Sequence, residues 1–398
     1  MAAAPLDELE RALETALARL DAELVDVRRD LHAHPELSWA EERTGALVEK
    51  RLADAGVRTR PLAGTGLVAE VGPGTGPAVV LRADLDALPV DDRTEDPWCS
   101  TVPGVAHACG HDVHTTALLG AGLALAAVGE RLPGRVRLVF QPAEEVMPGG
   151  ALKSIADGVL DDAGMIFMLH CDPTVDVGSI GLREGPVTGA ADALDVRLSG
   201  SGGHTSRPHL TQDLTFALGK LVTELPAALS RRLDPRAGAS VVWGVMQAGI
   251  AKNVIPSSGH AGGTVRMLDA VAWADAEAVV RELIGQILAP YGVQAEVSYV
   301  RGVPPVVNEH TAAALLGRVA AGVLGPEGVQ STQQSLGGED FAWYLERVPG
   351  AMARLGTRTP GGPTYDLHQG NLRIDERAVG VGARLLAQVA LAAMVTDR

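Results

Sequence analysis

Three apolar segments that we predict to be strands are each followed by acidic or imidazole side chains. These segments and side chains are 78–84 with Asp84 and Asp86, 135–140 with Glu144 and Glu145, and 164–169 with His170. The third segment is a nearly continuous apolar run, which is typical of a strand buried on both faces. Open α/β sheets bind ligands beyond the carboxyl ends of their strands. The repetition therefore predicts an α/β fold with a polar site at one edge of its sheet.

The stretch His-Ala-Cys-Gly-His-Asp-Val-His at 107–114 precedes an apolar run that we predict to be a helix. A single glycine separates Cys109 from His111, so both side chains can turn toward one point in a tight loop. A thiolate and an imidazole suit a borderline-soft divalent ion. The alternative is a buried structural cysteine among solvated histidines, which is the commoner situation for an isolated Cys-x-His.

Glu144 and Glu145 form the second candidate group. Adjacent side chains on an extended chain point in opposite directions, so one carboxylate can be a metal ligand and the other a base that takes a proton from water. The alternative is a pair of surface glutamates at the start of a helix, where the helix dipole favours them.

Histidines elsewhere in the chain could complete such a site. His170 follows the buried strand, and His368 lies in Tyr-Asp-Leu-His-Gln-Gly at 365–370. Taken singly, each is more often an ordinary histidine with a hydrogen-bond partner than a ligand. Asp84 and Asp86 are candidate acceptors for the second ring nitrogen of metal-binding imidazoles.

Length, charge and cysteine count narrow the class of protein. The 398 residues, 46% of them hydrophobic, are enough for two domains. A formal charge of -15 disfavours nucleic acid as a partner. Three cysteines give no disulfide framework and are typical of a reducing compartment. No segment reaches the roughly 18 to 20 apolar residues that span a bilayer, so we expect a cytoplasmic protein without a membrane partner.

The chain changes character near residue 190. Residues 187–300 read as strand, helix, two strands, helix and strand, which predicts a ferredoxin-like α+β insertion. Segments 1–186 and 301–398 then form a single catalytic α/β domain, with a mixed sheet flanked by helices, that the insertion interrupts.

Six motifs in register across roughly residues 25 to 390 resemble the M20 metallopeptidases. The motifs are RADLDALP at 82–89, the 107–114 stretch, PAEE at 142–145, GGHTSRPH at 202–209, NVIP at 253–256 and GEDF at 338–341. The most similar branch is that of the amidohydrolases that cleave N-acyl amino acids, hippurate and indole-acetyl amino acid conjugates. The chain departs from this pattern at Ala106 and at Cys171-Asp172, which are wall positions and bear on substrate preference.

The resemblance implies two divalent ions per subunit and an inserted lid domain through which two copies dimerise. It implies metal ligands at five positions, which are Cys109, His111, Glu145, His170 and His368. It further implies that Glu144 is the catalytic base and that the lid contributes His204, Asn253 and Arg266 to substrate or oxyanion binding. The mixed ligand set is compatible with zinc, manganese, cobalt or nickel.

These observations predict a metal-dependent hydrolase that releases a carboxylic acid and an amino acid from a small N-acyl amino acid. A dipeptidase or carboxypeptidase and a biosynthetic N-acetyl deacetylase are alternatives of the same fold. A metal-bearing binding protein without catalysis is an alternative of another class, and it should lack the base, whereas Glu144 is present.

Overall fold

The computed structural model describes residues 6–73 and 76–396. The helices among these residues are α1 (Leu6–Ala33), α2 (Glu42–Asp54), α3 (His111–Ala127), α4 (Ala151–Ala156), α5 (Leu214–Arg232), α6 (Ala270–Leu288), α7 (His310–Leu324), α8 (Ala342–Leu345) and α9 (Arg377–Thr396). The strands are β1 (Thr59–Pro61), β2 (Leu67–Val71), β3 (Ala78–Asp84), β4 (Arg135–Gln141), β5 (Ala163–Asp176), β6 (Ile180–Leu182), β7 (Gly185–Pro186), β8 (Ala190–Ser199), β9 (Gly203–His204), β10 (Ser240–Ala248), β11 (Val254–Ile255), β12 (Ser258–Met267), β13 (Gln294–Val303), β14 (Val307–Asn308), β15 (Val329–Ser331) and β16 (Gly350–Arg358).

The chain folds into two compact units. The first contains Met1–Val187, Val307–Gln333 and Trp343–Arg398, and the second contains Thr188–Val306 and Gln334–Ala342. The second unit is therefore inserted into the sequence of the first, and the short segment Gln334–Ala342 belongs to the second unit as well.

The first unit is built on a mixed sheet with the strand order β1-β2-β4-β3-β5-β16-β6-β15 among the described residues. Its central strands β4, β3, β5 and β16 are parallel, so their carboxyl ends meet at one edge. We predicted that the third strand would end at His170, but β5 continues to Asp176. The reason is that β5 extends beyond the end of its neighbour β3, with which it pairs only as far as Met168. Beyond that residue β5 continues to pair with β16.

Helices α1, α3 and α9 pack against one another and cover this sheet. Helix α3 is buried on almost every side, which explains its apolar sequence without a polar face. By length and composition α9 could cross a membrane, contrary to the sequence expectation. However, 67% of its most apolar stretch is buried inside the unit, and the core helix of a soluble protein passes the same test.

The second unit has a four-stranded antiparallel sheet in the order β10-β12-β8-β13, with α5 and α6 packed on it. Along the chain this is strand, helix, two strands, helix and strand, with the second and third strands on one side of the first. This is the ferredoxin-like arrangement that the sequence predicted. The short strands β9 and β11 pair separately beside it.

Candidate metal centre

The loop before α3 depends on Gly110. This residue precedes the helix and has a φ of 90°, which residues other than glycine rarely adopt. A Cβ atom at this position would lie 2.8 Å from Sγ of Cys171. The turn places Cys109 two residues before His111, the first residue of the helix, and both side chains are buried.

Five side chains converge beside the loop that precedes α3, in two overlapping groups. The ligand atoms of Cys109, His111 and His170 lie within 4.8 Å of one another, as do those of Cys109, Glu145 and His368. Cys109 belongs to both groups. His111, Glu144 and Glu145 form a third such group, in which Nε2 of His111 is 3.7 Å from Glu145 and 3.9 Å from Glu144.

Two buried atoms in this cluster favour a cation. Nε2 of His111 and Oε1 of Glu145 have no hydrogen-bond partner among the residues that the structure describes. A buried polar atom without a partner is unfavourable. Both atoms face the other candidate ligands, so a divalent ion fits this donor set of thiol, imidazoles and carboxylates.

Hydrogen bonds on the far side of the rings orient the imidazoles. Nδ1 of His111 donates to the backbone carbonyl of Asp86 at 2.9 Å, and Nδ1 of His170 donates to the carbonyl of Cys171 at 2.9 Å. Each bond leaves Nε2 to face the cluster, with that of His170 3.7 Å from Sγ of Cys109. His368 adopts a φ of 62°, and its N–H donates to Ala108.

The carboxylate of Asp86 lies beside His111 and also holds the backbone of the two glutamates. It accepts the backbone N–H of Glu144 at 3.0 Å, that of Glu145 at 2.9 Å and the hydroxyl of Ser38 at 2.6 Å. Its Oδ1 lies 3.5 Å from Nδ1 of His111. Asp86 thus fixes the backbone of the adjacent glutamates, while its own carbonyl orients the histidine.

Asp84 holds a histidine that the sequence analysis did not assign. Its carboxylate accepts Nδ1–H of His114 at 2.7 Å, and Nε2 of His114 accepts the N–H of Cys171 at 2.8 Å. Both ring nitrogens of His114 are occupied, so this histidine braces the site. Arg82, fully buried, donates to Asp84 at 2.7 Å. Burial disfavours the carboxylate form of Asp84, but the nearby His111, the hydrogen bond from His114 and the guanidinium of Arg82 outweigh burial and hold the pKa of Asp84 well below its usual range.

Burial and neighbouring carboxylates shift the pKa values of the candidate ligands. Burial, followed by Glu145 and Glu144, raises the pKa of the Cys109 thiol well above its usual value. Burial opposes the charged form of His111, but Asp84, Asp86 and Glu145 outweigh it and raise its pKa to about 10. A thiol in this environment stays protonated near neutral pH unless a cation compensates the thiolate, so binding a metal through this thiol would release its proton.

His32 belongs to a buried network outside the cluster. Its Nδ1 donates to Asp112 at 2.8 Å, and its Nε2 lies 3.3 Å from Asp92. Arg28 contacts the same Asp112 at 2.7 Å. Because Asp112 directly follows His111, this network ties α1 to the start of α3.

The three predicted lid residues all lie in the second unit, but they are not together. His204 on β9 pairs with Val254, and the N–H of Thr205 donates to the carbonyl of Asn253 at 3.3 Å. Arg266 lies near the far end of β12 and donates to the carbonyl of Leu336 at 2.7 Å. Arg266 is eight residue steps along β12 from Ser258, where the strand begins after β11, and this is a distance of about 27 Å. Within one copy, Arg266 and the His204–Asn253 pair therefore lie toward opposite ends of the sheet.

A parallel-centred sheet with a buried cluster of thiol, imidazole and carboxylate groups at one edge is the arrangement expected of a metal-dependent enzyme of the α/β class. Comparison with known proteins agrees: the model of peptidase family M20/M25/M40 matches residues 80–392. This chain belongs to that family and is one of its hydrolases. The family and the fold class predicted from sequence are thus confirmed.

Individual relatives are similar over most of this chain. An N-acetyl-L-cysteine deacetylase of Bacillus subtilis is 38% identical over 91% of this chain and 86% of its own length. A crystal structure of a dinuclear metal-binding peptidase of the M20 family from Bacillus subtilis has a TM-score of 0.82 and 33% identity, over 95% of this chain and 99% of that one. A putative glutamate–cysteine ligase of Rhodococcus jostii is 50% identical over 92% of this chain, but the chain spans only 46% of that protein's length.

Proposed function

We propose that the protein hydrolyses the amide bond of N-acyl amino acids and related conjugates, releasing a carboxylic acid and a free amino acid. The observation that carries the proposal is the pair of ligand groups that share Cys109 beside the two glutamates. Two overlapping groups fit two neighbouring divalent ions in each subunit.

The proposed roles of the residues follow from their positions in the cluster. The ions would be held by Cys109, His111, Glu145, His170 and His368, and could be zinc, manganese, cobalt or nickel. When bound, they would supply Lewis-acid polarisation of the scissile carbonyl and activation of water. Glu144, whose side chain is 9% exposed, stands beside this donor set. Its carboxylate takes the proton of the attacking water and later delivers it to the leaving amine.

The second unit is proposed as a lid and as the surface of a homodimer. His204 and Asn253 carry polar groups that could stabilise the developing oxyanion, and Arg266 carries a guanidinium fork that suits a substrate carboxylate. Arg266 is about 27 Å along β12 from Ser258, the end of the strand that follows the His204–Asn253 pair, so we propose that one small substrate does not contact all three residues of the same copy. A site that uses all of them takes some from a partner subunit.

The proposed substrate class draws on relatives. The similarity to the Bacillus subtilis N-acetyl-L-cysteine deacetylase is a reason to include N-acyl cysteines in the substrate panel. A dipeptidase or carboxypeptidase of the same fold is the main alternative. We also propose a cytoplasmic location, supported by cysteines 99, 109 and 171, all of which are free thiols.

The test is a hydrolysis screen over N-acyl amino acids, their matching amides and dipeptides, with each of the four metals added back. Turnover of N-acyl amino acids in preference to dipeptides supports the proposal. Absence of turnover on every member, with metal bound, would favour a non-catalytic metal-binding protein.

Arg266→Ala should lower kcat/KM on an N-acyl amino acid by about 10- to 150-fold, because a charge-assisted hydrogen bond contributes about 1.5 to 3 kcal/mol. The loss should be much smaller on the matching amide, which has no carboxylate. Arg197 on the neighbouring strand β8 offers a control, and Arg197→Ala should affect neither substrate. Equal losses on acid and amide for Arg266→Ala would assign the arginine to holding the segment around Leu336 instead.

Cobalt should report the thiolate of Cys109 directly. Adding Co²⁺ to metal-free protein should produce a near-ultraviolet sulfur-to-cobalt charge-transfer band, which Cys109→Ser should abolish, since the thiolate is the ligand form. Cys99→Ser, which changes a partly exposed cysteine, is the matched control and should keep the band. A band that survives in Cys109→Ser would remove this thiol from the ligand set.

A further inference from the structure

Ala143, the residue before Glu144, has an unusual backbone conformation. Its φ is 56°, in the left-handed region that residues other than glycine seldom adopt, and it is fully buried. The turn at Ala143 redirects the chain after β4 ends at Gln141. The direction in which Glu144 leaves the sheet therefore depends on what holds this turn.

Glu41 holds it from a distant part of the sequence. Oε1 of Glu41 accepts the N–H of Ala143 at 2.7 Å, and the other carboxylate oxygen accepts the hydroxyl of Thr65. The carbonyl of Ala143 accepts the N–H of Gly150 at 2.8 Å. Both backbone polar groups of the strained residue are thus occupied.

The arrangement extends to the two residues that follow. Three consecutive N–H groups donate to buried carboxylates: that of Ala143 to Glu41, and those of Glu144 and Glu145 to Asp86. Glu41 has an exposed fraction of 0%. Its hydrogen-bond partners among the described residues are neutral groups, and burial raises its pKa above the usual value. Burying a carboxylate without a cation is unfavourable, so its presence here calls for a reason beyond stability.

Packing leaves the turn little room to move elsewhere. A Cβ at Gly66 would lie 2.5 Å from Cδ of Pro142, and a Cβ at Gly150 would lie 1.9 Å from the carbonyl oxygen of Pro142. Pro142 is therefore enclosed by backbone on two sides. Asp86 holds the two residues after the turn, and the side-chain contact to Ala143 itself that a single substitution can lengthen or remove is the one from Glu41.

We propose that Glu41 is a positioning residue that sets the orientation of Glu144 through the left-handed turn at Ala143. It acts by the reach of its carboxylate and touches neither substrate nor metal. The proposal rests on the proposed role of Glu144 as the base. A displacement of a reacting group by about 1 Å can lower a rate by about 10²-fold, and shortening Glu41 by one methylene group is a change of that size.

Two conservative variants separate the effect of the length of the Glu41 side chain from the effect of its charge. Glu41→Asp keeps the charge and shortens the side chain, and it should lower kcat by about 10- to 100-fold with KM and metal content unchanged. Glu41→Gln keeps an oxygen acceptor at full reach and should recover most of that loss. Glu42→Asp makes the same substitution one residue along, at an exposed position, and is the matched control. If Glu41 served stability alone, the variants would change the melting temperature, but kcat would not be lower in Glu41→Asp than in Glu41→Gln.

A double-mutant cycle with Glu144→Gln decides whether Glu41 acts through Glu144. In that background Glu41→Asp should change the residual activity by less than about threefold, because the group it orients is already disabled. The same fold loss in both backgrounds, or an unaffected kcat in Glu41→Asp alone, would overturn the positioning role. Full activity of Glu144→Gln by itself would instead refute the proposed base, so the two failures are distinguishable.

Discussion

Glu144→Gln should lower kcat by about 10²- to 10⁴-fold, the usual contribution of a general base, while the metal content stays that of the unchanged protein. The amide has the shape of the carboxylate but cannot take a proton from water. The backbone N–H of residue 144 still donates to Asp86 after the substitution, so the local structure should persist.

Kinetics and metal analysis on the same preparation test this result. Glu145→Gln is the control on the adjacent residue, and it should lose metal as well as activity. Its Oε1 lies 3.7 Å from Nε2 of His111 and 3.5 Å from Nε2 of His368, within the candidate ligands. If Glu144→Gln loses its ions and Glu145→Gln keeps them, the two roles are exchanged.

Mixing two inactive variants should restore activity if a partner subunit completes each site. In a mixed dimer of Glu144→Gln and His204→Ala, one site combines an intact Glu144 with an intact His204 from the other subunit. With random exchange, half of the dimers are mixed and one of their two sites is intact, so about a quarter of the original activity should return.

The experiment needs independent proof that subunits exchange, for example by mass or fluorescence labelling of each variant. A mixture of Glu144→Gln with Glu145→Gln is the matched control, because both substitutions affect the same unit and no mixed dimer contains an intact site. Continued inactivity of the first mixture despite exchange would show that each second unit serves its own site or that His204 is structural.

Much of the architecture could be predicted because it is encoded locally. The glycine between Cys109 and His111, the apolar run that becomes α3 and the alternation of β8 are features of neighbouring residues. Periodicity and turn chemistry fix such elements before any distant contact forms. The ferredoxin-like insertion was predicted for the same reason, since its order of strands and helices can be read along the chain.

The length of β5 could not be predicted from the apolar pattern. His170 follows the last strongly apolar residue, so a strand end was expected there. The strand continues because β16 supplies hydrogen-bond partners as far as Asp176. A strand end is set by its neighbours in the sheet, and β16 lies about 180 residues further along the chain.

The sequence by itself determined which chemical groups are available and that three strands deliver them to one edge of a sheet. Only the tertiary structure decided what each group does there. The carboxylate of Asp86 binds backbone N–H groups 58 and 59 residues away, His114 is braced by Asp84, and Glu41 reaches Ala143 across 102 residues. Spacing along a chain carries no information about such contacts, because they depend on how the loops pack once the sheet has formed. Two candidate ligands, Cys109 and His111, come from one local motif, whereas the carboxylates that hold Ala143, Glu144 and Glu145 are brought there by the fold.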